Sequence, residues 1–351
     1  MKNRIKRKLY HDAKCRKEQR LRTRYRSWGR KSSLVGAVPT MRNIGSSQSH
    51  GGVPHLLQAP ECLDIFNDTE NALAFFSSVL SSIGKCHFKD TLYFDLSKVE
   101  VITPDAIMYI IAIIKNARRI RILNIDCVGN MPASEEARET IKQSGFFSFV
   151  SPSSPLKIKT DNKYMKIANG KDVKNELAGS FCDFVHESCK TTRLDTKRLY
   201  PMIVELMTNT SQHAYSSVDV SIMQENWYIF AQSTEETVRF VFLDTGVGIP
   251  KTVTKNFWEK VRALVIKNDA NYLKSTLEGA FRTETKKEHR GKGIPGIYED
   301  ACNHAVLGLS IISGQGKCEV RNNGDIEATS LKQSFEGTLF AWDIPKPKME
   351  V

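Results

Sequence analysis

The stretch Val238-Arg-Phe-Val-Phe-Leu-Asp-Thr-Gly-Val-Gly-Ile-Pro250 decides how this chain is read. Val238–Leu243 is a short apolar run rich in β-branched and aromatic residues, which predicts a strand. Asp244 closes that strand, and Gly246 and Gly248 follow, spaced two apart. Glycine has no side chain to hold a ligand off, so an acid at a strand end beside two glycines lets backbone approach a flat molecule closely. A plain Gly-rich turn is the alternative.

Two further motifs flank this one. Upstream, Thr196–His213 predicts a helix, with apolar positions at Leu199, Met202, Ile203, Leu206 and Met207, and Pro201 offers a later start as the mark of its true first turn. Glu205, Asn209 and His213 stand at i, i+4 and i+8 on that helix and so share a face. Glu and Asn supply the hard oxygen ligands that Mg²⁺ prefers. A solvated polar face is the plainer reading of the same pattern. Downstream, Arg290-Gly-Lys-Gly-Ile-Pro-Gly-Ile297 opens a helix. Glycines at a helix start free N–H groups to point at phosphate, where the helix N-terminus favours negative charge. Lys292 adds a point charge, and Pro295 removes one donor. This is not a Walker A loop, and the spacing of Gly291, Gly293 and Gly296 lacks the βαβ setting of a dinucleotide fold.

Taken in order, Glu205-Leu-Met-Thr-Asn209, Asp244-x-Gly-x-Gly, Gly291-Lys-Gly-Ile-x-Gly-Ile and Gly337-Thr338-x-Phe340 resemble the N, G1, G2 and last-strand motifs of the GHKL (Bergerat-fold) ATPase/kinase superfamily. That superfamily includes gyrase B, a class of heat-shock chaperones, sensor histidine kinases and the MutL repair proteins. The resemblance covers residues 160–351. It implies ATP and Mg²⁺ as cofactors. Asp244 would accept a hydrogen bond from the adenine amino group, and Thr338 would support the ring through water. Gly246 and Gly248 would let the base lie flat, and Asn209 would ligate Mg²⁺. Gly291, Lys292, Gly293 and Gly296 would hold the phosphates, and the stretch between Pro250 and Arg290 would include the ATP lid. Glu205 matches the general base of hydrolysing members, although histidine kinases carry an acid there too. His213 takes the motif's usual His place and is read as structural. The Ile294-Pro295 pair departs from the Gly-Leu-Gly-Leu pattern of kinases.

Residues 61–155 read as a smaller α/β domain. Helices are expected at Thr69–Ile83, Asp105–Ala117 (entered at Thr103 and Pro104) and Glu135–Ser144, the last closing on Gly145. Strands are expected at Thr91–Leu96 and Ile120–Val128. Leu92–Ser97 followed by Ile102–Ile110 resembles a STAS-type (anti-sigma-antagonist-like) domain, which implies a regulatory or assembly module that binds a protein partner. Thr103 and Ser97 are the nearest matches to that family's phospho-switch, and Thr103 is read first as a helix cap. The fold class expected for the whole is α+β. A C-terminal Bergerat-type α/β sandwich, with a mixed sheet and helices on one face, would join the STAS-like domain and a basic N-terminal arm.

Charge locates the arm. The chain has 51 Lys+Arg against 39 Asp+Glu, but residues 1–31 hold fourteen of the bases and two of the acids, which leaves the remainder neutral. Arg16, Lys17, Arg20, Arg22, Arg24 and Arg26, interleaved with Tyr10, Tyr25 and Trp28, suit phosphate contact with base stacking and are candidate nucleic-acid contacts. An acidic partner protein is the alternative. Residues 32–60, with their Gly/Ser run and three prolines, read as linker. The longest uncharged apolar run, Ala106–Ile114, is about half the length that crosses a bilayer, and no apolar stretch follows the charged N-terminus as in a secretory signal. A cytoplasmic protein is expected. The eight scattered cysteines form no CxxC pair and read as reduced thiols.

The function expected is ATP hydrolysis coupled to lid closure, with homodimerisation on nucleotide binding. The alternatives are an anti-sigma-type serine/threonine kinase or a non-catalytic nucleotide-sensing module, with a nucleic-acid-linked or host-defence system as the setting. His186-Glu187 lacks a preceding dimerisation-helix pair, which weighs against a sensor histidine kinase.

Overall fold

In the computed structural model, residues 53–120, 124–150, 161–190, 198–213, 226–251, 268–279, 293–303 and 305–347 are described. Their contacts divide them into two units. One holds the described residues up to Ile102 together with Ile110–Arg138, and the other holds Thr103–Tyr109 with those from Glu139 onward. Among the described residues, no helix is long and apolar enough to cross a membrane.

In the first unit, strands β1 (Pro54–Gln58), β3 (Thr91–Asp95) and β5 (Asp126–Gly129) form a parallel sheet in the order β1-β3-β5. A two-residue parallel pair, β2 (Cys62–Leu63) and β4 (Val101–Ile102), lies apart from it. Helix α1 (Thr69–Lys85) buries Leu73, Phe76, Leu80 and Ile83, the spacing the sequence predicts, and packs on β1 and β2. Helix α2 (Pro104–Arg119), whose residues up to Tyr109 belong to the second unit, starts at its proline, with the Thr103 carbonyl accepting the Ile107 N–H at 3.1 Å. Pro at the first helical position forfeits no intrahelical bond. Residues 106–114 of α2 are buried on every side, as a helix apolar all round must be.

Strand β1 falls inside the stretch expected to be linker. It is an edge strand in which only Leu57 is fully buried, and its Pro54 takes the first position, where a missing N–H is tolerated. The alternation that marks a strand is therefore nearly absent from its sequence. β5 is also shorter than the Ile120–Val128 strand expected, starting only at Asp126.

Helix α3 (Glu135–Gln143) passes from the first unit into the second at Glu139 and ends as predicted on Gly145 at φ +83°, and in the second unit the short α4 (Phe146–Val150) follows. Strands β6 (Tyr164–Gly170), β7 (Trp227–Ser233), β8 (Thr237–Asp244), β9 (Leu307–Val320) and β10 (Ile326–Pro345) form one sheet in the order β6-β7-β8-β10-β9. Every pairing among them is antiparallel, so the mixed sheet expected for this half is corrected among the described residues. The connections explain this: residues 234–236 join β7 to β8 and 321–325 join β9 to β10, and links that short can only return antiparallel. The run Val218–Met223, which also reads as a strand in the sequence, lies outside the described residues.

Helices α5 (Asn175–Cys189), α6 (Leu199–His213), α7 (Asp269–Leu277) and α8 (Gly293–Cys302) share one core with alternate residues of the sheet, including Trp227, Phe240, Ile311 and Trp342. Phe240 stacks on Trp342 with centroids 5.3 Å apart and planes 6° from parallel. The intervening residues Tyr228, Phe230, Val241, Leu243 and Leu339 are buried as well, so the central strands are covered on both faces. Tyr109 stacks on Phe335 at 4.5 Å, and its hydroxyl accepts the Glu336 N–H at 3.3 Å.

Two strands differ from expectation. The sequence reads as two strands, Val306–Ser313 and Cys318–Asn322, but β9 continues through the residues between them, with Gly314 at φ +59° and a register irregularity against β10 there. Gly314 and Gly316 are instead places of close approach: a Cβ on Gly316 would lie 2.6 Å from the Ala270 backbone nitrogen, and one on Gly314 would strike the Asp269 carboxylate. The glycines admit helix α7 rather than turn the chain. β6 and the first half of β10 escape the sequence reading because they bury little. Ile167 is the one fully buried residue of β6, and Ile326–Ser330 is half-buried or exposed throughout.

Truncating Phe240 to Ala removes a fully buried ring from the core and should cost about 3–5 kcal/mol, read as a lower denaturant midpoint of the second unit. In the first unit, burial pushes the Asp95 carboxyl up. Hydrogen bonds from the Asn130 amide and Ser97, with Lys98 nearby, outweigh it and hold the group below its ordinary value. A depressed folded pKa contributes stability that is present above the unfolded value, about 3.9, and is lost as pH falls through the folded one. Stability measured against pH should fall in that acid window, and by less in Asp95→Asn.

Candidate functional site

The end of strand β8 sets the site. Asp244 is its last residue and is half-buried, and its Oδ1 accepts the Gly246 N–H at 2.8 Å, an Asx-type turn that holds the carboxylate at the strand end. Thr245 pins the turn from the other side. Its N–H and hydroxyl both donate to the Asn226 carbonyl at 3.0 Å, and its Oγ1 accepts the Asn226 N–H at 3.1 Å.

Across the ladder, Thr338 of β10 is the register partner of Asp244, and Ser313 of β9 is the partner of Thr338. Three neighbouring strands thus present Asp, Thr and Ser in one row. Ser313 knits the row together. Its hydroxyl donates to the Gly337 carbonyl at 2.7 Å, lies 3.1 Å from Thr338 Oγ1 and accepts the Ile249 N–H at 3.0 Å. Ser313 and Thr338 are almost fully buried.

Glycine is required at two points. Gly248 has φ +88°, and a Cβ there would sit 2.8 Å from Ser313 Oγ and 3.0 Å from the Gly337 carbonyl. Gly337 has φ +110°, and a Cβ would run into the Asp244 carbonyl. Glu336 beside it is buried and lies 3.7 Å from Lys251 Nζ.

Glu205 and Asn209 lie on α6, one turn apart on a common face and both half-buried, while Met202, Ile203, Leu206 and Met207 fill the core beneath. The side chain of His213, at the helix end, lies outside the described residues. α8 packs on α6, α7 and β9 through Ile297 and Ala301, and an Arg198–Asp300 ion pair joins it to the residue before α6. Gly293 begins α8 and Gly296 stands in its first turn, half-buried. Pro295 also falls in that first turn, where its absent N–H would have had no intrahelical partner. Gly291 and Lys292 lie outside the described residues, as do Arg16, Lys17, Arg20, Arg22, Arg24 and Arg26.

The structure therefore brings Asp244, Gly246, Gly248 and Thr338 into one cluster, and sets Glu205, Asn209, Gly293 and Gly296 on two helices packed against each other. Sequence reasoning missed Ser313. A lone Ser near glycines carries no local signal, and only the pairing of β9 with β10 reveals its place. Compared with family models, with characterised proteins and with solved structures, the chain matches none.

Replacing Ser313 with Ala leaves the Ile249 N–H and the Gly337 carbonyl without this partner in a buried place. A loss of about 1–3 kcal/mol is expected, whereas Ser310→Ala, whose hydroxyl bond is exposed, should stay within about 0.5 kcal/mol. Denaturant midpoints of the two variants, measured side by side, check the difference.

Proposed function

We propose that residues 160–351 form a GHKL-type domain that binds and hydrolyses Mg·ATP, with lid closure driving a conformational or partner-binding switch. The observation that carries the reading is the row at the sheet end, where a carboxylate at the end of a central strand stands opposite a buried threonine with glycines at the closest approaches. The residues fit the ligands. Gly246 and Gly248 let the backbone after β8 fold tightly against the Asp244 carboxylate and against Ser313 and Gly337, and the shared face of α6 offers two oxygen donors of the hardness that suits magnesium.

In this reading Asp244 accepts the adenine amino hydrogen, and Thr338 supports the ring through water. Gly246 and Gly248 leave room for the base to lie flat. Asn209 holds magnesium, which when bound neutralises phosphate charge. Lys292 and the N–H groups of Gly291, Gly293 and Gly296 take the phosphate oxygens, where the α8 N-terminus favours negative charge. Glu205 orients the attacking water and takes its proton as the water oxygen bonds to the γ-phosphorus and the bond to the bridging oxygen of ADP breaks. The N-terminal arm is proposed to contact nucleic acid, and residues 61–155 to act as a STAS-like partner-binding module in a cytoplasmic protein that dimerises on nucleotide.

Purified protein with γ-labelled ATP and Mg²⁺, beside Asp244→Asn and Glu205→Ala, tests this. The wild type should release labelled phosphate, and Asp244→Asn should lose both ATP binding and release. Glu205→Ala should keep binding and release phosphate at least about 100-fold more slowly. Unchanged ATP binding by Asp244→Asn would sink the site. Label on Thr103 or Ser97 would replace hydrolysis with protein kinase activity, and binding with neither signal would replace it with nucleotide sensing.

A further inference from the structure

The first unit holds a cluster of ligating side chains that ATP chemistry does not use. Cys86 follows the last turn of α1 and is fully buried, His55 lies on β1, and Asp90 closes the turn that leads into β3. One ligand atom from each lies within 4.8 Å of the others. The Asp90 carboxylate is held from three sides. Its Oδ1 accepts the Val53 N–H at 2.9 Å, while its Oδ2 accepts the His87 N–H at 2.6 Å and meets His55 Nε2 at 3.1 Å. His87, with its side chain 75% exposed, brings Nδ1 to 3.7 Å from the same oxygen.

We propose that His55, Cys86 and Asp90 form a zinc site, with His87 as the fourth ligand. Nitrogen and oxygen ligands at about 2.0–2.1 Å on one tetrahedral ion stand about 3.4 Å apart, and the His55–Asp90 separation is already close to that. The sulfur and the His87 ring come in by side-chain rotation, and the exposed ring leaves a path for the ion. Thiolate, imidazole and carboxylate together select zinc over magnesium or calcium, which take oxygen alone. Cys86, His87 and Asp90 share the short segment between the end of α1 and β3, so the ion would clamp that segment to His55 on the sequence-distant strand β1. An Asp90 that only orders its turn would bind no metal. The site is independent of the ATP reading.

The test uses the full chain without a histidine tag, stripped with chelator, reduced and titrated with Co²⁺. The proposal expects visible d–d bands with a near-ultraviolet thiolate-to-cobalt charge-transfer band, both bleached by zinc. Cys86→Ser should lose the charge-transfer band and Cys127→Ser should keep it. His55→Ala and the surface variant His87→Ala should each weaken cobalt binding at least about 10-fold. No charge-transfer band at excess cobalt, or a band that survives Cys86→Ser, overturns the proposal. Should Cys86→Ser fail to fold by circular dichroism, the histidine variants decide, and unchanged cobalt affinity in both overturns it.

Discussion

The candidate nucleotide site depends on the register between β8 and β10. Asp244 and Thr338 are partners in one antiparallel ladder, and Thr338 is in turn the partner of Ser313 on β9. Side chains alternate along a strand, so a slip of one residue would send Thr338 to the opposite face and put Gly337 opposite Asp244. The register is held along eight consecutive partners, from Thr237↔Pro345 to Asp244↔Thr338. It is reinforced by the stacked Phe240 and Trp342, themselves partners. The polar row at the strand ends therefore draws its placement from an apolar ladder.

That ladder is buried on both sides, which accounts for the composition of the central strands. Trp227–Ala231 and Phe240–Leu243 are continuous apolar runs, the pattern of strands with two covered faces. The helices bring their own apolar stripes to one of those faces, and glycine decides how near they come. Gly316 lets the first turn of α7 lie against β9. At the strand ends, Gly337 and Gly248 allow backbone to pass where a side chain would collide with the Asp244 carbonyl or the Ser313 hydroxyl.

In the first unit, two acids at the ends of β3 do comparable work with hydrogen bonds. Asp90 precedes the strand and gathers the Val53 N–H and His55 from β1 and its lead-in. Asp95 ends it, with its carboxylate accepting the Asn130 amide beyond β5 and its carbonyl accepting the Ala59 N–H beyond β1. For each carboxyl, burial works to raise the pKa and the hydrogen bonds overcome it. The buried thiols respond differently: burial pushes Cys86 and Cys127 up to about 12, with the Asp90 charge adding to the effect at Cys86.

Sequence alone was enough for elements whose burial pattern is written locally. Helices α1, α2 and α6 carry apolar residues at helical spacing, and β7 and β8 are apolar runs bounded by polar turns. The glycine at 145 ends a helix through its own backbone freedom. Asp244, Gly246 and Gly248 were legible because strand end and turn are contiguous, and so were Glu205 and Asn209, because helical periodicity puts i and i+4 together. What lay beyond it was anything decided by a partner distant in the chain. β1, β6 and the start of β10 become strands because a neighbouring strand satisfies their backbone groups, with little apolar pattern of their own. Gly314 and Gly316 read as a turn until α7 is seen against them. Ser313 joins the site, and His55 meets Cys86 and Asp90, only when strands far apart in sequence pair. Hydrogen bonds and close approaches of that kind are made by tertiary structure, and no local residue preference encodes them.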